Sequence, residues 1–373
     1  MPRNVALCSL ATTTRGIVTS GREMFERGRC QLVRAIPQGR NIETPQCGGG
    51  RDGLAPVQSS HRYAGTLCGT SRTKQRGIDS GIVSPRLRSN LWRRTVRLRT
   101  EVNGIKVQID LPGVTTTGYT RTRNILENGL AQPKTKNRET IRDAYLYVLN
   151  RSRNANPSDL WHHVVYRVYC EIFKKHRPQD PKQSWVRASG DALELTLESL
   201  YAPVFAPHNI RILPLISRER KRTALDEMGL STAVGSDKLD IALYRKESGA
   251  PWRIFGGVHV KASLAERVSD DVPCSRAMMA KGHWSPLWTL DVKSFPPPHG
   301  NLVNKGEFGS PTEPSEKRKY IEQHGEFDNC YSANCRTIPS VPTTPSGKRI
   351  YTLELSRQPD QFARDTIARA LKS

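Results

Sequence analysis

A chain of 373 residues, 36% apolar and 25% charged, has enough core-forming side chains for one large domain or two ordinary ones. No window approaches the roughly 18 uninterrupted apolar residues that a membrane helix requires, which excludes a helical transmembrane protein. The net charge of +23 suits a partner rich in phosphate, because displacing condensed counterions drives such binding; basic composition of another origin is the competing explanation.

The charge is unevenly spread, with 18 Lys and Arg against 5 Asp and Glu in residues 1–99. The run QCGGGRDGLAPVQSSHRYAGTLCGTSRTKQRG is rich in Gly, Ser, Thr and Arg, and no apolar periodicity lasts two turns. Such a segment buries too little surface to offset the entropy of ordering, so a disordered basic extension is expected. Three origins for it stay open: a start assigned too far upstream, an organelle transit peptide, or an arm that grips DNA. The eight cysteines form no framework, and the C-x4-C pair Cys330 and Cys335 lacks a second pair at zinc-ligand spacing. Reduced thiols in a cytoplasm are the expectation.

Organised sequence is expected from about Thr100. Residues 137–150 place Ile141, Ala144, Tyr145, Val148 and Leu149 on one helical face. After Asn156 and Pro157, Ser158 suits the N-cap of a second helix through Phe173, closed by Lys174, Lys175, His176 and Arg177 beside the negative end of its dipole. These predict a helical subdomain over 100–185. A third helix is predicted from Ser189 to Tyr201, stopping before Pro203. Beyond it the pattern changes to short β-prone runs, IRILPLI, KLDIALYR, WRIFGGVHVK and LWTLDVKSF, separated by turns or by one helix over 263–281. A last strand, Arg349 to Leu355, and a helix opening at Pro359 with Phe362, Ile367 and Leu371 complete the chain. The order predicts an α/β fold over 186–373, a mixed central sheet flanked by helices.

Asp240 interrupts the apolar run KLDIALY, with Leu239, Ile241 and Leu243 on the other face. In GGVHVKA the period of two puts His259 and Lys261 on one face and Val258 and Val260 on the other. Two successive strands therefore each carry a polar group where core is expected. An acid that holds Mg²⁺ and a lysine beside it supply what phosphodiester hydrolysis requires, namely charge neutralisation on the phosphate and a nucleophilic water. Taken singly, each has a plainer reading, as a solvent-facing edge acid and a snorkelling strand-end lysine.

The run GDALE…LDIALY…VHVKASLAERVSDDVP…TLDVKSFPPPHG resembles the PD-(D/E)xK nucleases, and within them the BsaWI-type restriction endonucleases of the CCGG-cutting branch. The similarity spans about residues 100–373. It implies a restriction-endonuclease-like fold and Mg²⁺-dependent, site-specific cleavage of double-stranded DNA. Asp240 matches the metal-binding strand aspartate, Lys261 the catalytic lysine, and Glu194 a glutamate on the preceding helix that completes the metal shell. An exposed Glu194 beside Glu198 is the alternative. The family's usual acid two residues before the lysine is here His259, and the resemblance directs the missing carboxylate to Glu266 on the following helix. Ser263 and Glu266 equally form a capping box. Arg267, with Asp270 and Asp271, resembles the base-reading group of the branch; Arg pairs with guanine O6 and N7, and a carboxylate accepts from cytosine N4. A solvated helix face explains RVSDD as well.

A second Asp-x-Lys, Asp291 and Lys293, sits where the fourth strand is expected, and Lys305 lies in a loop suited to contact DNA or simply to face solvent. A palindromic site implies a homodimer. The resemblance adds tetramers and a cognate DNA methyltransferase. Repair or homing nucleases, and a DNA-binding protein that does not cut, stay open as rivals.

Overall fold

The structure, a computed structural model, describes residues 95–102, 104–132, 136–235, 238–265 and 268–372. The extension expected over 1–99 therefore lies outside the described residues except at its end. There the chain is already a strand: β1 (Val96–Val102) pairs antiparallel with β2 (Ile105–Leu111), so residues 96–99 belong to the ordered part and not to the extension. Helix α1 (Thr116–Ala131) opens at Thr115, whose hydroxyl accepts from the Gly118 N–H.

Helix α2 (Asn137–Arg151) buries the stripe Ile141, Ala144, Tyr145, Val148 and Leu149 read from its periodicity. The cap of the next helical stretch lies two residues earlier than expected. Asn156, not Ser158, is the cap: its side chain accepts from the Ser158 N–H, and Pro157 takes the first helical position, where a missing N–H costs nothing. This stretch runs through α3 (Pro157–Asp159), a π-helical segment Leu160–Tyr166 and α4 (Arg167–His176). Helix α5 (Pro181–Phe205) is longer at both ends than the expected Ser189–Tyr201. Asp180 caps it, and Pro203 is tolerated because the helix ends within a turn of it. The helix crosses the boundary expected between 185 and 186.

Six strands follow in chain order: β3 (Ile210–Pro214), β4 (Ile241–Arg245), β5 (Arg253–Lys261), β6 (Leu287–Thr289), β7 (Cys330–Ser332) and β8 (Ile350–Thr352). The first three are antiparallel and β5 to β8 are parallel, giving the mixed sheet expected. Alternation along β4 separates two layers. Ile241 and Leu243 join a core shared with α1, α2, α4 and α5, while Ala242 packs with Leu225 of α6 (Arg218–Glu227) and Met278 of α7 (Val268–Ala280). Leu239, expected on the face of Ile241 and Leu243, instead joins the second layer, because it precedes the strand and the alternation does not extend back to it. Gly256 and Gly257 sit where strands crowd: a Cβ on Gly256 would stand 2.5 Å from the Trp284 carbonyl oxygen. Helix α8 (Glu316–Glu322) covers the β7–β8 end, and α9 (Gln361–Lys372) inserts Phe362 into the main core. Leu371, expected on that buried stripe, is 77% exposed. No described helix is long and apolar enough to cross a membrane.

Candidate active site

Asp240 stands immediately before β4 and is buried. Its Oδ2 accepts from the Val260 N–H at 2.7 Å and from the Lys261 ammonium at 3.0 Å, so the neighbouring strand fixes the carboxylate by backbone and side chain together. Lys221, on α6, approaches the other oxygen at 3.6 Å. The helix carrying Lys221 has only Ala224 and Leu225 buried, so it offers no apolar stripe to read from sequence.

Lys261 closes β5 and points between two acids, with Nζ 2.7 Å from Asp271 Oδ2. Burial would favour its neutral form, but the charges of Asp240 and Asp271 outweigh burial and hold its pKa above the ordinary lysine value. It is an ammonium group, a donor rather than a proton acceptor.

Asp271 was expected among the base-reading acids; it is instead 3% exposed and faces inward from the first turn of α7. Helical phase separates it from Asp270, which is exposed. Burial would raise its pKa, yet the His259 ring and Lys261 beside it keep it below the usual carboxylate value. His259 is fully buried, its Nε2 3.1 Å from the Ser285 hydroxyl and its Nδ1 3.6 Å from Asp271 Oδ2. The imidazole thus backs a carboxylate that arrives from a helix.

Glu194 projects from the middle of α5 and is buried, which removes the reading of an exposed partner for Glu198. Burial first, and then the charge of Asp240, push its pKa well above the ordinary carboxylate range, while Lys221 and Lys261 partly offset them. Its Oε2 is buried without a hydrogen-bond partner. A buried oxygen without a hydrogen-bond partner, on a carboxylate that feels the charge of another, is what a divalent cation relieves, so Glu194 and Asp240 fit a metal site. Among the described residues no three His, Cys, Asp or Glu side chains gather as a ready metal cage. Glu266 and Arg267 lie outside the described residues.

The capping box read at Ser263 and Glu266 lies outside the described residues at Glu266. In the turn after Lys261, the Ser263 hydroxyl and the Leu264 and Ala265 N–H groups all donate to Glu307 Oε1, at 2.7, 2.8 and 3.0 Å. Asp291 is also buried and structural. It accepts from the Glu307 N–H and the Thr337 hydroxyl, and burial raises its pKa to about 6. Its partner in the second Asp-x-Lys, Lys293, lies over the ring of the exposed Phe295, and Lys305 is exposed.

The family model described as BsaWI restriction endonuclease type 2 matches residues 216–359. The type II restriction enzyme AgeI of Thalassovita gelatinovora is 46% identical over 270 residues, covering 71% of this chain and 96% of that enzyme. The chain belongs to the type II restriction endonucleases. The crystal structure of the specific AgeI–DNA complex has a TM-score of 0.69 at 45% identity, over 74% of this chain and 99% of that one. The chain is therefore a site-specific deoxyribonuclease with the restriction-endonuclease fold, as the resemblance implied. Type II restriction endonucleases generally depend on a divalent metal. The BsaWI-type match contains Asp240, Lys261 and Asp271 and begins after the helix that carries Glu194.

Proposed function

We propose that this restriction endonuclease cuts double-stranded DNA at a CCGG-containing palindrome, with Mg²⁺ as cofactor and Asp240, Glu194, Lys261 and Asp271 as its active site. The observation that carries the site is the convergence of Asp240 and Asp271 on one half-buried lysine, with one buried oxygen of Glu194 left without a hydrogen-bond partner. Asp240 and Glu194 are the two carboxylates that would hold the ion; Mg²⁺ takes one or two such ligands and fills its shell with water and phosphate oxygens. Bound there, it would neutralise charge on the scissile phosphate and acidify a water for in-line attack, leaving a 5′-phosphate.

The protein's own groups do the rest. Lys261, protonated, donates to the attacking oxygen or to a phosphate oxygen and holds it in line. Asp271 keeps that ammonium oriented and charged, filling from α7 the place that the strand leaves to His259. Glu266 remains a further candidate for the metal shell. Arg267 and Asp270 are the proposed base-reading residues, Asp270 being exposed at the start of α7. A homodimer, each copy cutting one strand, matches a palindromic site, and a methyltransferase protecting that site is the expected companion.

The test is cleavage of phage DNA by the full chain with Mg²⁺, followed by sequencing of the ends. Discrete fragments ending in a CCGG-containing site are expected, with none in EDTA. Asp240→Ala and Lys261→Ala should each lower the rate by at least about a hundredfold, since removing one electrostatic stabiliser commonly costs 10²–10³ in kcat. Full activity in either variant would displace the assigned site, and ends unrelated to CCGG would displace the assigned specificity.

A further inference from the structure

Glu307 has no counterpart in the chemistry above, yet its carboxylate is the most heavily used acceptor near the site. Its side chain is 3% exposed, and one oxygen takes three donors from the turn Ser263–Ala265 while the other pairs with Lys317 at 2.7 Å. Two successive backbone N–H groups and a hydroxyl turned onto one oxygen form a small anion nest, closed at Ala265 by a left-handed backbone with φ of 38°. A non-glycine residue holds that conformation only where its surroundings impose it. The Glu307 backbone is itself fixed, its N–H bonded to the buried Asp291.

The position of this turn gives it consequence. It is the sole covalent link between Lys261 at the end of β5 and Asp271 on α7, and it leads directly into residues 266–267. The strand side is already rigid, because Leu290 and Val292 donate to the carbonyls of Lys261 and Ala262. What remains adjustable is the direction in which the chain leaves Ala262, and Glu307 sets it.

Resting on the active-site reading above, we infer that Glu307 is a positioning residue that holds the Ser263–Ala265 turn so that Asp271 meets Lys261. Lys317 pairs with Glu307 Oε2, whereas the three loop donors all go to Oε1. The turn should therefore depend on the acceptor oxygen, not on the ion pair.

Single-turnover cleavage by the full chain, with saturating Mg²⁺ and DNA bound beforehand, separates these roles. Glu307→Ala removes the acceptor and is expected to slow cleavage roughly 10–100-fold, as loss of an orienting partner commonly does. Glu307→Gln and Lys317→Met remove the ion pair but keep an acceptor for the loop; both should stay within about threefold of the parent, a rescue that a purely structural salt bridge does not give. Glu307→Asp keeps the charge and withdraws the oxygen by one methylene, so it should be slow, and it carries the test should the alanine variant not fold. Cleavage at the parent rate by Glu307→Asp or Glu307→Ala overturns the inference, as does Lys317→Met being as slow as Glu307→Ala. Lys261→Ala, run in parallel, distinguishes this failure from failure of the site itself: if that variant still cuts, the underlying reading is what falls.

Discussion

Asp240 and Lys261 were legible because each breaks an apolar alternation, and one hydrogen bond between them confirms that the strands they occupy are adjacent. Asp271 was legible as a residue but not in its direction. Two consecutive acids at a helix start look the same in sequence, and only the rotation of α7 turns one toward Lys261 and leaves the other exposed. Asp291 illustrates a different limit: Asp-x-Lys is too short a pattern to mark a site, and here its acid serves the fold. Its pKa of about 6 gives a pH signature. The folded form keeps the proton to higher pH than an unfolded carboxylate near 3.9, so this group's contribution to stability is fully present below about pH 4 and is lost as pH rises through 6. The loss amounts to about 3 kcal/mol, taking roughly two pH units at 1.36 kcal/mol each. In Asp291→Asn the amide can accept from the Glu307 N–H and donate to Thr337 without charging. Urea midpoints of parent and variant should move apart in the variant's favour between pH 4 and 6.5; parallel curves would refute the assignment of that proton.

Among elements, the strands with several β-branched or apolar residues were readable, and so was α2, whose five-residue stripe is buried as spaced. The helix α6 was not, because RERKRTALDE buries only Ala224 and Leu225 and presents charge all round. Strand β7, Cys330–Ser332, was invisible because the run around it, DNCYSANC, holds a single β-prone side chain, Tyr331, although all three strand residues are buried in the sheet. Helix boundaries shifted where capping chemistry offered two candidates, as at Asn156 and Ser158. The β5–β6 junction makes a sharper statement about packing. Gly256 lies against the main chain at Trp284, which cannot swing aside as a long side chain could. Gly256→Ala should thus destabilise the fold by about 1–3 kcal/mol, the usual range for overpacking. A thermal midpoint equal to the parent's would show that the strands can part at this point.

Across the whole molecule, the two layers of core and the sheet between them follow from alternation in β4, whereas the helices of 100–205 share the larger core instead of forming one of their own. The charge of +23 acts at this scale. A protein that neutralises six to ten phosphates should lose about 10³–10⁵ in affinity between 50 and 200 mM salt. Titration of the full chain with a duplex in Ca²⁺ or without metal should give a straight line of log affinity against log salt. A flat line would mean that the excess charge plays no part in holding DNA.

The strand order β3 to β8, each strand beside its predecessor in the chain, bears on how activity arises as the polypeptide folds. The aspartate and lysine of the β4–β5 hairpin are 21 residues apart and can meet early, since short loops close at little entropic cost. The glutamate on α5 and the aspartate on α7 come from opposite sides of that hairpin and arrive only when both helices have docked. On the proposed site, a chain in which only that hairpin had formed would hold the local pair without its companions, and the capacity to break DNA would await the finished tertiary structure.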